Sequence, residues 1–527
     1  MAIIPPTERA EDCVLVIFGA SGDLTRRKLI PALYDLDRLG RLPEKLVVLG
    51  VSRTELGDDG FRETLAEGVR KHATRFEEDA WAAFAKRLHY HAADASQQGA
   101  FNGLRDRIRK VGKEAGIDRG EGGPNVLFYL SVAPNLYEPI VDRIGDSAMV
   151  TEGKRWCSLD PRGSAWQRII VEKPFGTDLA SAETLNRTLG RVFEEDAIYR
   201  IDHYLGKELV QNILVLRCVN SIFEPLWSRE HISHVQVTAA EDIGVGKRAG
   251  GFYDGAGALR DMIQSHLLQV LALVAMEPPT AFDAESIMRE KIELFRAFRE
   301  PTPKLVAPNA AFGRYGAGVG ADGSDEPAYA DLEGVDPDQR TETFAATRLE
   351  FDTWRWAGVP FFVRSGKRMA QKLTEVVVEF KRPPIDVFRR AMQKASDRVE
   401  AFNPNRLIIR IAPSEGVTFE VLGKVPGSGL QIATAGLDLD YQKQFGGEPI
   451  EAYAPLLLDA MRGDRTLYKH RDEVEGMWRV VEGYLKSDEV RQGIQTYAPG
   501  SWGPDKADEV IKRAGFRWRN PEGKGSA

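Results

Sequence analysis

Cysteine is nearly absent from this chain of 527 residues: there are three, Cys13, Cys157 and Cys218, far apart and in no C-x-x-C pair. That scarcity excludes a disulfide framework and a thiolate zinc site, fits a reducing compartment, and predicts three free thiols. Long apolar runs are missing too. The longest, 267–276, is interrupted by Gln269 and falls short of the roughly 20 residues that cross a bilayer. The first apolar run, 14–18, follows Glu11 and Asp12 and ends in glycine and aspartate, unlike a secretory signal. A cytoplasmic protein without a membrane partner is expected. Nor is there an excess of positive charge: 71 lysines and arginines stand against 78 acidic residues, a formal charge of -7. No nucleic-acid partner is expected, and any anionic ligand must be met by local clusters.

What is present is ample apolar material, 43% of residues with 28% charged, in a chain too long for one core, so two large domains are expected. Up to about residue 195, short β-branched runs (14–18, 46–51, 88–91, 126–131, 169–171) alternate with helical stretches, the signature of a parallel sheet covered by helices. Beyond it, a helix over 202–217, a strand over 235–238 and a long helix over 258–276 precede partly alternating strands at 345–351, 376–380, 407–411 and 417–421. That order suits an α+β domain with a mainly antiparallel sheet. Helices are expected at 453–461 and 474–485. Residues 309–341, rich in Gly, Ala, Asp and Pro, read as a surface excursion, and 521–527 as a frayed tail.

Gly19-Ala20-Ser21-Gly22-Asp23-Leu24-Thr25 directly follows the first strand and opens the first helix. Glycines at such a bend let the backbone approach a pyrophosphate, and the helix start offers N–H groups and a positive dipole to its charge. It is a G-x-x-G variant, and a plain tight turn would carry the same residues. At the end of the second strand, where an acid commonly meets a ribose 2′-hydroxyl, the sequence has Arg53. An arginine there suits a 2′-phosphate and favours NADP over NAD, the alternative being a solvated side chain.

Arg200-Ile201-Asp202-His203-Tyr204-Leu205-Gly206-Lys207-Glu208 reads as the opening of a helix, with His203 and Lys207 sharing a face beside Tyr204. Two cations and a phenol at a helix start suit a phosphate, and a salt-bridged surface is the bland alternative. His266 lies on the mostly apolar 258–276 helix, where a neutral imidazole is suited to accept a proton from a hydroxyl. Asp261 is about 140° away on a 3.6-residue helix, which leaves Asp202 as the natural carboxylate partner; a satisfied core histidine is the competing reading. Glu172-Lys173-Pro174-Phe175-Gly176 ends what reads as the last parallel strand, so Lys173 can reach a ligand. Val363-Arg364-Ser365-Gly366-Lys367 with Lys372 reads as a basic hairpin turn.

Taken in order, GASGDLTRRKL, EKPFG, RIDHYLGKE, RDMIQSHLLQ, TRLEFDTWRWAGVPFFVRSGKR and LLLDAMRGD resemble the glucose-6-phosphate dehydrogenase family over about residues 13–480. The resemblance implies a Rossmann-like dinucleotide-binding domain at 1–200 and a larger α+β domain at 201–527 for substrate and oligomerisation. It implies oxidation of glucose 6-phosphate at C1 with NADP as cofactor, NAD as a weaker alternative and no metal. His266 would be the general base and Asp202 its orienting charge. His203, Tyr204 and Lys207 would hold the 6-phosphate, with Glu241, Asp261, Lys367, Lys372 and Lys28 on sugar hydroxyls and phosphate, and Lys173 between sugar and cofactor. Gly19, Ala20, Ser21, Gly22, Asp23, Leu24, Arg53, Asp94 and Ala95 would line the dinucleotide. A homodimer or homotetramer is implied. The stretches 141–167 and 309–335 depart from the family pattern and touch none of its motifs. The competing readings are a hexose or hexose-phosphate dehydrogenase of relaxed specificity and a non-catalytic NADPH-binding regulator.

Overall fold

The computed structural model describes residues 10–94, 100–119, 123–150, 165–246, 249–320, 323–336, 338–385, 387–388, 403–427, 431–446 and 451–521. Ala95, Cys157, the heart of the 141–167 departure and the tail from 522 onward lie outside them. The chain forms two compact units, one of Met1–Gly206, Thr280–Met288 and Glu448–Glu475, the other of Lys207–Pro279, Arg289–Gly447 and Gly476–Ala527.

In the first unit β1 (Val14–Phe18), β2 (Val47–Ser52), β3 (Leu88–Ala92), β4 (Val126–Leu130), β5 (Gln167–Val171) and β6 (Ile198–Ile201) run parallel in the order β3-β2-β1-β4-β5-β6. Runs such as VLVIF and VLFYL are buried throughout, as a sheet covered on both faces demands. Strand order reverses between β1 and β4, the place where such sheets open a ligand crevice at their carboxyl ends.

β6 corrects the sequence reading, which ended the parallel sheet at β5. Its four residues, IYRI, hide a strand behind a charge, because Arg200 is fully buried. Glu195 takes that guanidinium at 2.7 and 3.1 Å and Asn186 Oδ1 at 3.1 Å, which offsets the cost of burying it. A short strand, Tyr468–Lys469, closes the edge, antiparallel to β6.

The second unit is built on a nine-stranded sheet of β7 (Ile232–Ala240), β8 (Ala310–Tyr315), β9 (Phe344–Leu349), β10 (Phe361–Gly366), β11 (Leu373–Phe380), β12 (Arg406–Ala412), β13 (Gly416–Lys424), β14 (Ile432–Asp440) and β15 (Gln495–Tyr497). Its order is β14-β13-β12-β11-β7-β10-β9-β8-β15. All neighbours are antiparallel except β7 with β10 and β8 with β15. The expected 309–341 excursion therefore opens with a sheet strand; its alanines and glycine carry too little hydrophobic contrast to announce it, yet Ala310 to Gly313 are buried. Tyr329, in the same stretch, is fully buried with its hydroxyl on Asp254 Oδ1 at 2.9 Å.

Residues 363–367 are not a solvated hairpin turn. β10 and β11 lie on opposite sides of β7, so Arg364 sits in the middle of the sheet, fully buried. Its Nε donates to Thr238 Oγ1 at 3.1 Å, and its Nη2 to the Arg519 carbonyl at 2.9 Å and Asn520 Oδ1 at 2.8 Å. The guanidinium stands 4.3 Å from the Trp518 ring centre, and burial lowers its ionisation to about 9. Gln236 binds the same segment, donating to the Arg517 carbonyl and accepting from the Arg519 N–H. Residues 517–520 thus lie over the centre of the sheet.

Candidate active site

Every site residue expected in the first unit, among those described, follows a strand's carboxyl end or opens the first helix. Gly19 leaves β1 with φ +80°, and a Cβ there would sit 2.0 Å from the Ser131 carbonyl oxygen at the end of β4. Only glycine satisfies both the left-handed backbone and that approach. The Gly22 N–H closes the turn on the Gly19 carbonyl at 2.9 Å. The wide turns Thr25–Leu29 that follow have no side-chain cap and no acid, but carry Arg26, Arg27 and Lys28. An uncapped helix start at the order reversal, with cations in its first turn, fits a dinucleotide's phosphates. Ser21 and Asp23 are exposed, and Asp23 pairs with Arg26 and Arg27. Lys28 Nζ pairs with Glu451 Oε2 at 2.9 Å. Arg53 is exposed immediately after β2, and Asp94 follows β3.

β5 delivers Glu172 and Lys173, joined to Pro174 by a cis peptide. The sequence reading singled out Lys173 and passed over Glu172, although a charge ending the apolar run IIV was the available signal. Tyr129 donates its hydroxyl to Glu172 Oε1. Burial raises the Glu172 carboxyl to about 7, against the hydrogen bonds of Tyr129 and Tyr453 and the charge of Lys173.

β6 delivers Asp202, which is 1% exposed. The expected helix from 202 does not form: helix begins at Glu208, with Lys207 as its extended cap residue. Asp202 Oδ1 accepts the Tyr204 N–H at 3.0 Å and its carbonyl accepts the Leu205 N–H at 2.9 Å, a local turn that outcompetes helix. His203 and Lys207 therefore share no helical face. His203 is half-buried and Tyr204 buried, with their ring centres 5.3 Å apart. Asp202 Oδ2 lies 2.8 Å from Lys469 Nζ. No motif pointed to Lys469.

In the second unit His266 is 1% exposed on Leu259–Leu267, a run of wide i→i+5 turns continued by the α-helix Leu268–Ala275. That corrects the relation between Asp261 and His266. On wide turns, residues five apart return to nearly the same face, so the 140° of an ordinary helix does not apply. The helix packs across β7, β9 and β10.

At its start, Gly257 has φ +69°, and a Cβ would meet Glu342 Oε1 at 2.4 Å. Lys367, 4% exposed, forms an ion pair with Glu241. Its Nζ stands 5.7 Å from the Tyr253 ring centre. Tyr253, which the sequence reading missed, is buried, and its hydroxyl has no hydrogen-bond partner among the described residues. Burial, then the carboxylates of Asp261, Glu342 and Glu241, hold its ionisation well above the usual phenol range. Lys372 is exposed just before β11.

A doubly wound parallel sheet with a glycine turn at its order reversal, and a second unit presenting a buried histidine and a buried lysine paired with a carboxylate, define a dinucleotide-dependent oxidoreductase. The glucose-6-phosphate dehydrogenase NAD binding domain family matches residues 16–212, and the glucose-6-phosphate dehydrogenase C-terminal domain family matches 214–519. The chain is 44% identical over 515 residues to glucose-6-phosphate 1-dehydrogenase of Aggregatibacter actinomycetemcomitans, covering 98% of this chain and 99% of that relative. It is 40% identical over 509 residues to that of Rhizobium meliloti, covering 96% and 97%. A solved glucose-6-phosphate dehydrogenase in complex with its substrate glucose-6-phosphate superposes with a TM-score of 0.85 at 33% identity, over 98% of this chain and 100% of that one. The chain belongs to the glucose-6-phosphate dehydrogenase family.

Proposed function

We propose that His266 is the general base, and Asp202 its charge partner, in the oxidation of glucose 6-phosphate at C1 to 6-phosphoglucono-1,5-lactone. The chain is an NADP-dependent oxidoreductase, and its reaction opens the oxidative pentose phosphate pathway. The observation that carries the assignment of roles is Asp202, a buried carboxylate at the carboxyl end of the last parallel strand. Bound NADP supplies the hydride acceptor. His266 takes the O1 proton as C1 loses its hydride and the C1–O1 bond becomes a carbonyl, and the Asp202 charge stabilises the imidazolium formed.

His203, Tyr204 and Lys207 hold the 6-phosphate, so that binding energy remote from C1 positions the reacting carbon. Glu241, Asp261, Lys367, Lys372 and Lys28 hold sugar hydroxyls and phosphate, and a sugar hydroxyl would satisfy Tyr253. Lys173 stands between sugar and nicotinamide. Gly19, Ala20, Ser21, Gly22, Asp23, Leu24, Arg53 and Asp94 line the dinucleotide.

Initial rates of NADPH appearance with glucose 6-phosphate, with NAD and free glucose in parallel, test the reading. His266→Asn is expected to keep substrate binding and lose roughly 10²- to 10⁴-fold in turnover. Near-normal turnover overturns the role of His266, and equal rates with free glucose overturn the phosphate cluster. The proposal extends to domain roles, with 1–200 for dinucleotide and 201–527 for substrate and assembly. It also extends to a homodimer or homotetramer, supported by the mostly exposed outer strand β14, where Leu437 is 61% exposed. Free thiols at Cys13 and Cys218 support a cytoplasmic setting. No helix among the described residues is long and apolar enough to cross a membrane.

A further inference from the structure

We infer that Lys469 is a positioning residue for the proton transfer, setting through its ion pair with Asp202 how strongly that carboxylate supports His266. The inference deepens the roles proposed above for Asp202 and His266 and rests on them. The strand Tyr468–Lys469 pairs Tyr468 with Ile201 and Lys469 with Arg200, which brings Lys469 to the end of β6, where Asp202 follows. Its Nζ lies 2.8 Å from Asp202 Oδ2, with the two side chains 2% and 0% exposed. The other carboxylate oxygen accepts the Tyr204 N–H, so the group is held from both sides.

The edge of the sheet does not need this pair for stability. A buried ion pair returns little net folding energy, and an apolar side chain would cover the strand without desolvating a charge. What the ammonium supplies is a field. A carboxylate beside an imidazole favours its protonated form, and a cation on that carboxylate offsets the effect. The other groups around the pair include Lys173 and Glu473, which act on Lys469, Glu172 and Tyr453, which couple to Asp202, and His203, with a ring nitrogen within 4.8 Å of an Asp202 carboxylate oxygen. The Phe175 ring centre lies 5.6 Å from Nζ. Of these only Lys173 is a second ammonium, and it follows β5, so Lys469 is the cation in contact with Asp202 from the edge strand.

Removing a positive charge makes neighbouring protons harder to lose. In Lys469→Met and Lys469→Gln the acidic limb of the pH profile of kcat/KM is therefore expected to move to higher pH by about one unit. The KM for NADP should change little. Lys469→Arg, keeping the charge, should restore the limb toward its original position. If Lys469→Met fails to fold, Lys469→Gln carries the test, because it keeps a donor at the site. An unmoved limb in both neutral variants, or a limb moved as far by arginine, overturns the inference and leaves Lys469 a structural contact. Asp202→Asn separates the two readings. If it retains normal turnover, the role of Asp202 fails. If it loses turnover while the Lys469 variants leave the limb in place, only the role of Lys469 fails. With Asp202→Asn in the same chain, Lys469→Met should move the limb no further.

Discussion

The carboxylate of Glu342 accepts the backbone N–H of Leu259 at 2.9 Å, and its carbonyl accepts the N–H of Ala258 at 3.0 Å. One residue just ahead of β9 thus satisfies the opening of the helix that carries Asp261 and His266. Burial raises the Glu342 carboxyl, and the hydrogen bond from Leu259 works against that rise. Glu342→Ala is expected to cost about 1–3 kcal/mol, the price of an unsatisfied buried donor. It should also lower kcat by disturbing the register of His266. Glu342→Gln, which can still accept the bond, should recover most of both. Thermal unfolding and steady-state rates on the same preparations check this.

Gly19→Ala tests the dinucleotide turn. The substitution meets a φ of +80° and a carbonyl oxygen 2.0 Å from the new methyl, and the left-handed backbone alone costs roughly 1–2 kcal/mol. NADP affinity, read by fluorescence titration, should fall at least about tenfold, since 1.4 kcal/mol is a factor of ten. Glucose 6-phosphate binding should fall less. Equal losses would point to general unfolding of the first unit.

Arg53→Ala addresses the choice of cofactor. The side chain is exposed at the end of β2, free to meet a 2′-phosphate. A charge-assisted hydrogen bond is worth about 1.5–3 kcal/mol, so the KM for NADP should rise roughly tenfold or more while that for NAD changes little. Matching rises for both cofactors would show that Arg53 does not read the 2′-phosphate.

Glu172 should make stability fall as pH rises. Its carboxyl is raised from 4.5 to about 7 in the folded chain, so the fold holds that proton more tightly than the unfolded chain does. The stabilisation is complete below the unfolded value and is lost as pH passes through about 7. At about 1.36 kcal/mol per unit the effect is at most about 3 kcal/mol. Glu172→Gln carries no such proton, so its loss of Tm between pH 5 and pH 8.5 should be smaller than that of the parent chain. An equal loss would place the pH dependence elsewhere.

Much of the first unit was legible because parallel strands buried on both faces are uninterrupted apolar runs, and β1, β4 and most of β2 read that way. β6 escaped because Arg200 breaks its pattern, and Glu195 and Asn186, invisible as partners in sequence, make that arginine bearable. Asp202 was singled out, but its turn was read as helix because the hydrogen bond it makes to Tyr204 is a choice between two local structures of similar energy. In the second unit His266 was found, whereas the wide turns beneath it were not, since i→i+5 geometry leaves no period in so short a segment. Tyr253, Glu342 and Lys469 were missed for a shared reason: each matters through a neighbour distant in the chain.

The segment 517–520 laid over β7 and β10 sets an order of events during synthesis. Arg364 and the Arg519 carbonyl that receives it are 155 positions apart, which at about 5–20 residues per second is a wait of roughly 8–30 s on the ribosome. Throughout that interval the middle strands of the large sheet exist without the tryptophan and carbonyl groups that neutralise their central arginine. The centre of the second unit's sheet is therefore completed only once residues 517–520 have been made.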